Sequence, residues 1–293
     1  MTETVESRSP DSGVMSKLWE LLRFEQTLFA LPMAVAASLW AADGWPPLAP
    51  WLWMVVAMVG ARTAGMSANR LIDARIDAKN PRTADRLIPS NRIRPSAVLL
   101  VLVLSLALLG WAAWNLNPLC FRLFPVAFAL LVGYSYLKRF TWACHFGLGA
   151  VQACGPLGAW MAITGEFEWS ALWLGLGTAL WVSGFDILYA LADEEYDRTH
   201  GVFSIPGCFG AHRACLISRC CHLAAIAFWL LFSGSVGGGM ILTTGIGAVG
   251  ALLVWEHVLV GPQKLEHLPV AFFKVNSVIS LVMLIATVGE VLL

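Results

Sequence analysis

Nine long apolar stretches, separated by short polar or glycine- and proline-rich segments, run along the chain. Each approaches the roughly 20 residues that an α-helix needs to cross a bilayer. Their predicted limits are 21–42, 48–68, 96–115, 119–137, 143–164, 169–192, 213–234, 236–258 and 268–291. The stretches are continuously apolar rather than alternating, which favours membrane-spanning helices over strands. The pattern predicts an all-α polytopic membrane protein with about nine transmembrane helices.

Composition supports this class. Hydrophobic residues make up 58% of the chain and charged residues 13%, whereas soluble domains carry about 25% charged residues. Residues 1–15 are polar and predict a disordered cytoplasmic tail, which leaves 16–293 as a single transmembrane domain. The formal net charge is zero, which gives no indication of a nucleic-acid partner. The seven cysteines lack C-x-x-C spacing and predict small buried side chains rather than a zinc site.

The basic residues are distributed unevenly around the apolar stretches. In a nine-span arrangement that begins inside the cell, 16 of the 19 Lys and Arg residues fall in the N-terminal tail or in cytoplasmic loops. Only Arg122 falls near the opposite face, while Arg62 and Lys274 lie inside predicted spans. Because loops rich in Lys and Arg stay in the cytoplasm, the bias predicts a cytoplasmic N-terminus and a C-terminus on the other side.

A polar sequence at the end of the second stretch carries the first candidate chemistry. Asn69, Asp73 and Asp77 are four residues apart and would project from one face of a helix. We call these three residues the first acidic row. Carboxylates at this spacing, with basic groups nearby, suit divalent metal ions that hold a phosphorylated substrate. The arginines of the following loop, residues 78–94, would also fit a loop lying on anionic lipid headgroups, but that alternative does not explain the spacing of the row.

A second acidic row, formed by Asp186, Asp193 and Asp197, lies at the end of the sixth stretch. Tyr189, Asp193 and Asp197 follow each other at four-residue steps and are predicted to share a helix face. Asp186 lies two turns before Asp193, deeper toward the hydrocarbon, where an ionisable residue is by default a functional candidate. The predicted topology puts both acidic rows on the cytoplasmic side.

Two facing carboxylate rows would bind one or two Mg²⁺ ions, which in turn bind the phosphate oxygens of a substrate. Basic residues near the rows would neutralise a pyrophosphate group. The candidates are Arg70, Arg75, Arg82, Lys138 and Arg139. Tyr134 and Lys138 share one face at the cytoplasmic end of the fourth stretch. The alternative for Lys138 and Arg139 is an anchoring role at the membrane edge.

Polar and aromatic side chains within the stretches indicate an internal cavity. Arg62 lies about two turns before Asn69, where it would hold an anionic co-substrate such as an aromatic carboxylate. His145 and Gln152 are either polar wall residues or hydrogen-bonded packing residues. Some of the 14 tryptophans are expected in interfacial belts, and others are expected to line an isoprenoid tunnel.

With these residues assembled, the chain resembles the UbiA superfamily of membrane prenyltransferases over nearly its whole length. The resemblance rests on Asn69-x-x-x-Asp73-x-x-x-Asp77 and on Asp186-x-x-Tyr189-Ala190-x-x-Asp193-x-x-x-Asp197. Residues 80–90 resemble the basic first loop of the superfamily, and Tyr134-x-x-x-Lys138 resembles its tyrosine–lysine motif. Within the superfamily, the segments 185–190 and 204–206 resemble those of the 4-hydroxybenzoate polyprenyltransferase-like branch.

This resemblance implies nine helices around a central cavity that is capped by the acidic loops and open sideways to lipid. It also implies Mg²⁺-dependent transfer of a polyprenyl group from a polyprenyl diphosphate to an aromatic acid of the 4-hydroxybenzoate type, in ubiquinone or menaquinone biosynthesis. The alternative is the same chemistry on 1,4-dihydroxy-6-naphthoate, haem, a chlorophyll precursor or a lipid. A transporter is the alternative from another class, but it would place carboxylates near the bilayer midplane rather than at helix ends.

The expected roles follow from the two rows and the resemblance together. Catalytic and metal-binding roles are expected for Asp73, Asp77, Asp193 and Asp197. Substrate-binding roles are expected for Asn69, Arg62, Arg70, Arg82, Tyr134, Lys138, Asp186 and Tyr189. The expected partners are the two substrates and the bilayer, with no nucleic acid and no obligatory protein partner. We expect a multi-pass protein of the bacterial inner membrane with its active-site loops in the cytoplasm.

Overall fold

The computed structural model describes residues 13–22 and 27–293, and within them the chain is built from α-helices. The twelve α-helices of this described part are α1 (Val14–Leu22), α2 (Thr27–Ala42), α3 (Leu48–Asp77), α4 (Pro95–Leu116), α5 (Pro118–Leu137), α6 (Cys144–Thr164), α7 (Trp169–Tyr189), α8 (Glu194–His200), α9 (Ile205–Phe209), α10 (Ala211–Ser235), α11 (Met240–Leu259) and α12 (Asn276–Leu292). A 3₁₀ turn joins α7 to α8, and a π-helical segment precedes α12. The predicted all-α class is confirmed.

The apolar stretches correspond to helices. Within the described residues, eight helical segments are long and apolar enough to cross a membrane, and α2 provides a shorter ninth apolar helix. The first predicted stretch, 21–42, is not one described helix, because α1 ends at Leu22, residues 23–26 lie outside the described residues, and α2 begins at Thr27. Residues 1–12 of the predicted tail also lie outside them, and α1 begins at Val14.

Several helix ends follow from local sequence. Pro95 and Pro118 occupy the first positions of α4 and α5, where the missing N–H of proline costs no helical hydrogen bond. The Asn117 side chain caps α5 by accepting the N–H of Cys120 at 2.9 Å. Gly165 follows α6 with φ of +74°, a left-handed conformation that glycine adopts without a steric penalty.

The two helices that carry the acidic rows end differently. Helix α3 continues through Asp77 as one 30-residue helix, so the first acidic row has the four-residue geometry predicted for it. Helix α7 stops at Tyr189, and residues Ala190–Asp193 form a 3₁₀ turn before α8. The prediction of one continuous helix face through the second row is therefore wrong, because the 3₁₀ turn winds more tightly than an α-helix.

The interior divides into a densely packed half and a hollow half. Large side chains such as Trp181, Trp229 and Phe232 fill the main core between α2, α6, α7, α10, α11 and α12. Helix α7 approaches its neighbours closely, since a Cβ added at Gly149 would lie 2.3 Å from the Ala179 carbonyl oxygen. The outer faces carry exposed aliphatic side chains on many helices, as expected for contact with lipid. The chain is a multi-pass membrane protein.

Candidate active site

Asp73 is the centre of the first acidic row and is fully buried. Its Oδ2 atom accepts a hydrogen bond from the Asn69 amide at 2.7 Å and lies 2.6 Å from the Lys138 ammonium nitrogen. Its Oδ1 atom lies 3.2 Å from the Arg139 guanidinium. Arg139 is fixed in turn by the backbone carbonyls of Ser135 and Ile72, at 2.9 and 2.6 Å. The end of α5 therefore supplies two cations to one carboxylate of α3.

Asp77, the last residue of α3, is paired with the loop that follows it. Both carboxylate oxygens accept hydrogen bonds from Nη1 of Arg86, at 2.8 and 2.7 Å. The Thr83 hydroxyl donates to the Asp77 carbonyl at 3.0 Å. These contacts fold residues 78–94 back onto the helix end, so the first loop does more than lie on lipid headgroups.

Asp193 joins the second acidic row to the same loop. Arg82 donates from both Nε and Nη2 to the two carboxylate oxygens, with the Nε contact at 2.9 Å, and Asn80 donates to Oδ1 at 2.9 Å. Arg82 also donates to the Tyr189 hydroxyl at 3.1 Å and lies over the Tyr189 ring. Burial alone would lower the pKa of Arg82, but the bonds and charge of Asp193 outweigh it, and the pKa is raised. The first loop, residues 78–94, thus connects the two acidic rows. This agrees with the prediction that both rows lie on the same side of the membrane.

Asp197 lies apart from these ion pairs. It is buried within α8, and its backbone carbonyl accepts the N–H of Val202 at 3.0 Å. A Cβ added at Gly207 would lie only 3.0 Å from the Asp197 Cβ, so the segment after α8 packs against this residue. Asp197 therefore belongs to the second row by position, while its surroundings come from residues 202–207.

Asp186 has a protein partner that the sequence did not indicate. Its Oδ2 atom lies 2.7 Å from Nδ1 of His145, near the start of α6. The His145 side chain is 4% exposed and that of Asp186 is 23% exposed. The hydrogen-bonded packing role that the sequence left open for His145 is the one observed.

A cavity of about 540 Å³ lies between α3, α4, α5, α6 and α7, within the usual size of small-molecule sites. Its wall is mainly aliphatic, and the larger polar side chains among its described lining residues are Arg62, Tyr134 and Gln152. On α5 the lining runs from Cys120 to Tyr134, which is about 21 Å along the axis at 1.5 Å per residue. Tyr134 lies one turn before Lys138, so the polar end of the cavity adjoins the first acidic row.

Arg70, for which a substrate-binding role is expected, borders a small pocket together with Glu20 and Arg86 and is not among the described residues of the cavity wall. The expectation that tryptophans line the cavity is wrong for the part of the chain that the structure describes. No tryptophan is found among the described residues of the cavity wall. Trp181 and Trp229 instead fill the dense half of the interior, where their size suits the packing between helices.

Comparison with known proteins decides the family. The sequence model of the UbiA prenyltransferase family matches residues 30–278. The chain belongs to the UbiA prenyltransferase family. It is a prenyltransferase, and the predicted resemblance to the superfamily is confirmed.

Relatives in this family extend over most of the chain. The 4-hydroxybenzoate octaprenyltransferase of Vibrio vulnificus is 29% identical over 265 residues, which cover 89% of this chain and 92% of the relative. The enzyme of the same name from Pseudomonas putida is 29% identical over 232 residues, or 78% of each chain. These relatives support the predicted 4-hydroxybenzoate branch of the superfamily.

Solved structures of UbiA homologues share the fold. An apo structure from Aeropyrum pernix K1 superposes with a TM-score of 0.83 and 27% identity, covering 92% of this chain and 98% of the homologue. A homologue from Archaeoglobus fulgidus, whose structure contains GPP and Mg²⁺, has a TM-score of 0.71 and 19% identity, covering 94% of this chain and all of the homologue. At that identity the second comparison concerns the fold alone.

The oxygen atoms of the two acidic rows of this UbiA chain fit Mg²⁺ in chemical kind, since hard divalent cations prefer carboxylate ligands. In the part of the chain that the structure describes, no three His, Cys, Asp or Glu side chains converge closely enough to hold a metal ion on their own. A site would therefore combine one or two carboxylates of each row with oxygens of a bound diphosphate, the usual mode for Mg²⁺.

The sequence predicted a basic role for Arg139 and left two roles open for His145, but it assigned no role to Asn80 or Arg86. Arg86 and Asn80 lie in the first loop, and their contacts depend on how that loop folds back. The partner of His145 is 41 residues away in sequence, and only the packing of α6 against α7 brings the two together.

Proposed function

We propose that this UbiA-family enzyme transfers a polyprenyl group from a polyprenyl diphosphate to an aromatic acid of the 4-hydroxybenzoate type, with Mg²⁺ as the metal. The observation that carries the proposal is that the two acidic rows, with their basic partners, meet beside the polar end of a long apolar cavity. The names of the relatives from Vibrio vulnificus and Pseudomonas putida support the choice of acceptor.

The cavity suits the prenyl chain. Its aliphatic wall runs along α5 from Cys120 to Tyr134, so an isoprenoid tail would be buried while its diphosphate remains at the end near Asp73. Burial of apolar surface contributes roughly 25 cal/mol per Å². A water-poor wall would also protect an allylic cation from hydrolysis.

The diphosphate would bind where carboxylates and cations are now paired. Asp73, Asp77, Asp193 and Asp197 would hold Mg²⁺, which when bound neutralises charge on the leaving diphosphate. The basic partners of the rows, Arg82, Arg86, Lys138 and Arg139, would then turn from carboxylate oxygens to phosphate oxygens. Arginine suits this exchange because its guanidinium binds carboxylate and phosphate with the same two-pronged geometry.

The proposed reaction has two steps, cleavage of the allylic C–O bond and bond formation with the acceptor ring. The allylic C–O bond breaks and its electron pair leaves with the diphosphate, whose charge Lys138 and the arginines stabilise. The electron-rich ring carbon of the acceptor then bonds to the allylic carbon, and loss of the ring proton restores aromaticity. Tyr134 and Arg62 are polar residues of the cavity wall, and we assign the acceptor to the part of the cavity beside them.

Arg62 would orient the acceptor. It is the one Lys or Arg among the described residues that line the cavity. A guanidinium in apolar surroundings binds a carboxylate more strongly than one in water does. The carboxylate of the aromatic acid would therefore contact Arg62, which leaves the phenol ring directed toward the allylic carbon.

The setting of the proposed reaction is the bacterial inner membrane, with the N-terminus and the acidic loops in the cytoplasm and the product entering quinone biosynthesis. The clustering of basic residues at the ends of α3 and α5 supports this orientation. Diphosphate substrates are charged and would reach the acidic rows from the aqueous side.

The test is a reconstituted assay. Purified protein in lipid nanodiscs would receive geranyl or a longer prenyl diphosphate, Mg²⁺, and either 4-hydroxybenzoate or 1,4-dihydroxy-6-naphthoate, with product detected by mass spectrometry. We expect prenylated 4-hydroxybenzoate and its loss when Mg²⁺ is chelated. Asp73→Ala and Asp193→Ala should each abolish turnover, whereas Glu195→Ala, which removes an exposed carboxylate of α8, should not.

The outcomes separate the parts of the proposal. Product with dihydroxynaphthoate alone would change the assigned acceptor and leave the assigned prenyl-transfer reaction unchanged. No product with either acid would refute the aromatic-acid assignment, and full activity of both aspartate variants would refute the two-row metal site.

A further inference from the structure

His145 makes hydrogen bonds with both of its ring nitrogens in a nearly water-free environment. Its Nε2 atom lies 3.3 Å from the backbone N–H of Ile205, and its Nδ1 atom lies 2.7 Å from Oδ2 of Asp186. The Ile205 N–H can only donate, so Nε2 accepts and Nδ1 carries the proton that is directed at Asp186. One imidazole therefore links α6, α7 and the segment that begins α9.

Residues 202–207, which we call the connecting segment, have few partners of their own. Ser204, Ile205 and Pro206 are buried, and because proline has no backbone N–H, the buried donors that need an acceptor are those of Ser204 and Ile205. The Phe203 N–H donates to the Lys138 carbonyl at 2.8 Å. The Gly207 N–H donates to the Ser204 hydroxyl at 3.1 Å. The Ile205 N–H is the first of the short helix α9, has no intrahelical acceptor, and relies on His145.

The connecting segment also borders Asp197. Val202 donates to the Asp197 carbonyl, and Gly207 packs so closely that any Cβ there would press on the Asp197 side chain. At its other edge the segment is bonded to Lys138, whose ammonium contacts Asp73. It is thus a direct physical connection between a carboxylate of the second acidic row and a cation that serves the first.

Asp186 anchors the imidazole from the opposite side. It continues the face of α7 that lines the cavity, since Leu172, Leu176 and Ala179 precede it at helical spacing. Its carboxylate is nevertheless engaged by His145 rather than by a basic residue of the first loop. Among the residues that the structure describes, the other aspartates with side-chain ion pairs, Asp73, Asp77 and Asp193, contact Lys or Arg instead.

We propose that His145 is a positioning residue that holds the connecting segment, and that Asp186 acts as its hydrogen-bond acceptor rather than as a ligand of metal or substrate. This inference rests on the proposed function, because the segment matters through Asp197 and Lys138 at the diphosphate site. With the Ile205 contact intact, those two residues keep their separation. When it is lost, α9 loses a buried acceptor and the segment moves away from α6.

Two pairs of variants separate the contacts. In His145→Gln the amide oxygen reaches the place of Nε2, so the acceptor for Ile205 is kept and the donor to Asp186 is lost. In His145→Asn the amide nitrogen reaches only the place of Nδ1, so Asp186 keeps its donor and Ile205 loses its acceptor. Asp186→Asn keeps a neutral acceptor for His145, whereas Asp186→Ala removes it.

The first measurement needs no substrate. Hydrogen–deuterium exchange would be followed by mass spectrometry on peptides covering residues 202–209, with the protein in nanodiscs. We expect His145→Gln to exchange like the wild type and His145→Asn to exchange at least about tenfold faster, as expected when a buried amide loses its acceptor. Equal exchange in both variants would overturn the role of His145. Because this readout is independent of turnover, it stands even where the proposed acceptor is wrong.

The second measurement is kinetic. We expect His145→Asn to raise the KM for prenyl diphosphate about tenfold or more while the KM for the acceptor stays near wild type, since the segment adjoins Asp197 and Lys138. Asp186→Asn should stay within about tenfold of wild-type kcat/KM, because only one hydrogen bond is weakened, and Asp193→Asn should not. Equal loss in Asp186→Asn and Asp193→Asn would show that the charge of Asp186 is required and would overturn the proposal.

Discussion

At the level of single residues, Asp73, Asp77 and Asp193 each pair with a cation that lies outside the helix or turn that carries the carboxylate. Arg86 binds Asp77 with one nitrogen near both oxygens, and Arg82 binds Asp193 with two. The carboxylates are more buried than the arginines, so removing an arginine leaves a largely buried charge without its partner. The cations therefore hold the rows in place without substrate, and an incoming diphosphate must offer them an equivalent negative charge.

Arg62 provides the residue-level prediction about the acceptor. Arg62→Met should raise the KM for 4-hydroxybenzoate by about 10²-fold, since a charge-assisted contact in an apolar cavity is worth about 2–3 kcal/mol. The KM for prenyl diphosphate should stay within a few-fold of wild type. Steady-state kinetics with each substrate varied in turn would measure both values.

The matched control is Arg122→Met, which removes an exposed arginine from the opposite end of α5. It should leave both KM values unchanged. A second control uses a phenol that lacks the carboxylate, whose transfer should be slow in the wild type and no slower in Arg62→Met. An equal rise in both KM values for Arg62→Met would contradict a role confined to the acceptor.

At the level of elements, residue spacing predicted the side-chain geometry correctly where the helix is continuous. The spacing of Asn69, Asp73 and Asp77 could be converted into geometry because α3 runs unbroken through all three. The same reasoning failed after Tyr189, since no proline or glycine marks the 3₁₀ turn at Ala190–Asp193. The contacts of Arg86 with Asp77 depend on a folded loop, and those of His145 depend on helix packing. The spacing of residues along the sequence reveals neither kind of contact.

The π-helical segment Val270–Val275 is an element that the apolar pattern did not reveal. Phe272 of this segment packs against the Tyr189 ring at a centroid distance of 4.2 Å. The π-helical segment therefore supports the tyrosine whose hydroxyl accepts a hydrogen bond from Arg82. Asn276 fixes its end by accepting the Trp181 indole N–H at 2.7 Å and donating to Glu256 at 2.8 Å. Such single π-helical turns occur often near functional sites.

Replacement of Asn276 should therefore destabilise the protein markedly. Asn276→Leu has a similar volume but leaves the buried Trp181 N–H and the Glu256 carboxyl group without their partner, which costs roughly 1–3 kcal/mol for each group. We expect a clearly lower Tm in detergent, measured by the loss of the monodisperse peak after heating. Ser277→Ala is the control, because that hydroxyl bonds only to a carbonyl of its own turn. Equal Tm values for the two variants would contradict this account.

At the level of the whole molecule, one half of the interior is filled by large side chains and the other half contains the cavity. Trp181, Trp229 and Phe232 fill the half formed by α2, α6, α7, α10, α11 and α12. The other half, α3 to α7, encloses the cavity. Helices α6 and α7 belong to both halves, which is why His145 and Asp186 can connect the dense side to the reactive end. The charged ends of α3, α5 and α7 all lie at that same end.

This asymmetry makes the orientation in the membrane testable with a native residue. Cys208 on α9 is exposed and lies beside the connecting segment at the charged end. If that end faces the cytoplasm, a membrane-impermeant maleimide should label Cys208 in inside-out vesicles and not in right-side-out ones. The measurement would use a Cys220→Ser background, since Cys220 is also exposed, with Cys208→Ser as the unlabelled control.

The rate of Cys208 labelling can also be compared with and without bound substrate. A bound prenyl diphosphate with Mg²⁺ should slow the labelling of Cys208, because it would order Asp197 and the connecting segment that continues into α9. The prenyl alcohol lacks the diphosphate and should have no such effect. Labelling from the periplasmic side would refute the orientation, and equal labelling rates with and without the diphosphate would refute the coupling between its site and α9.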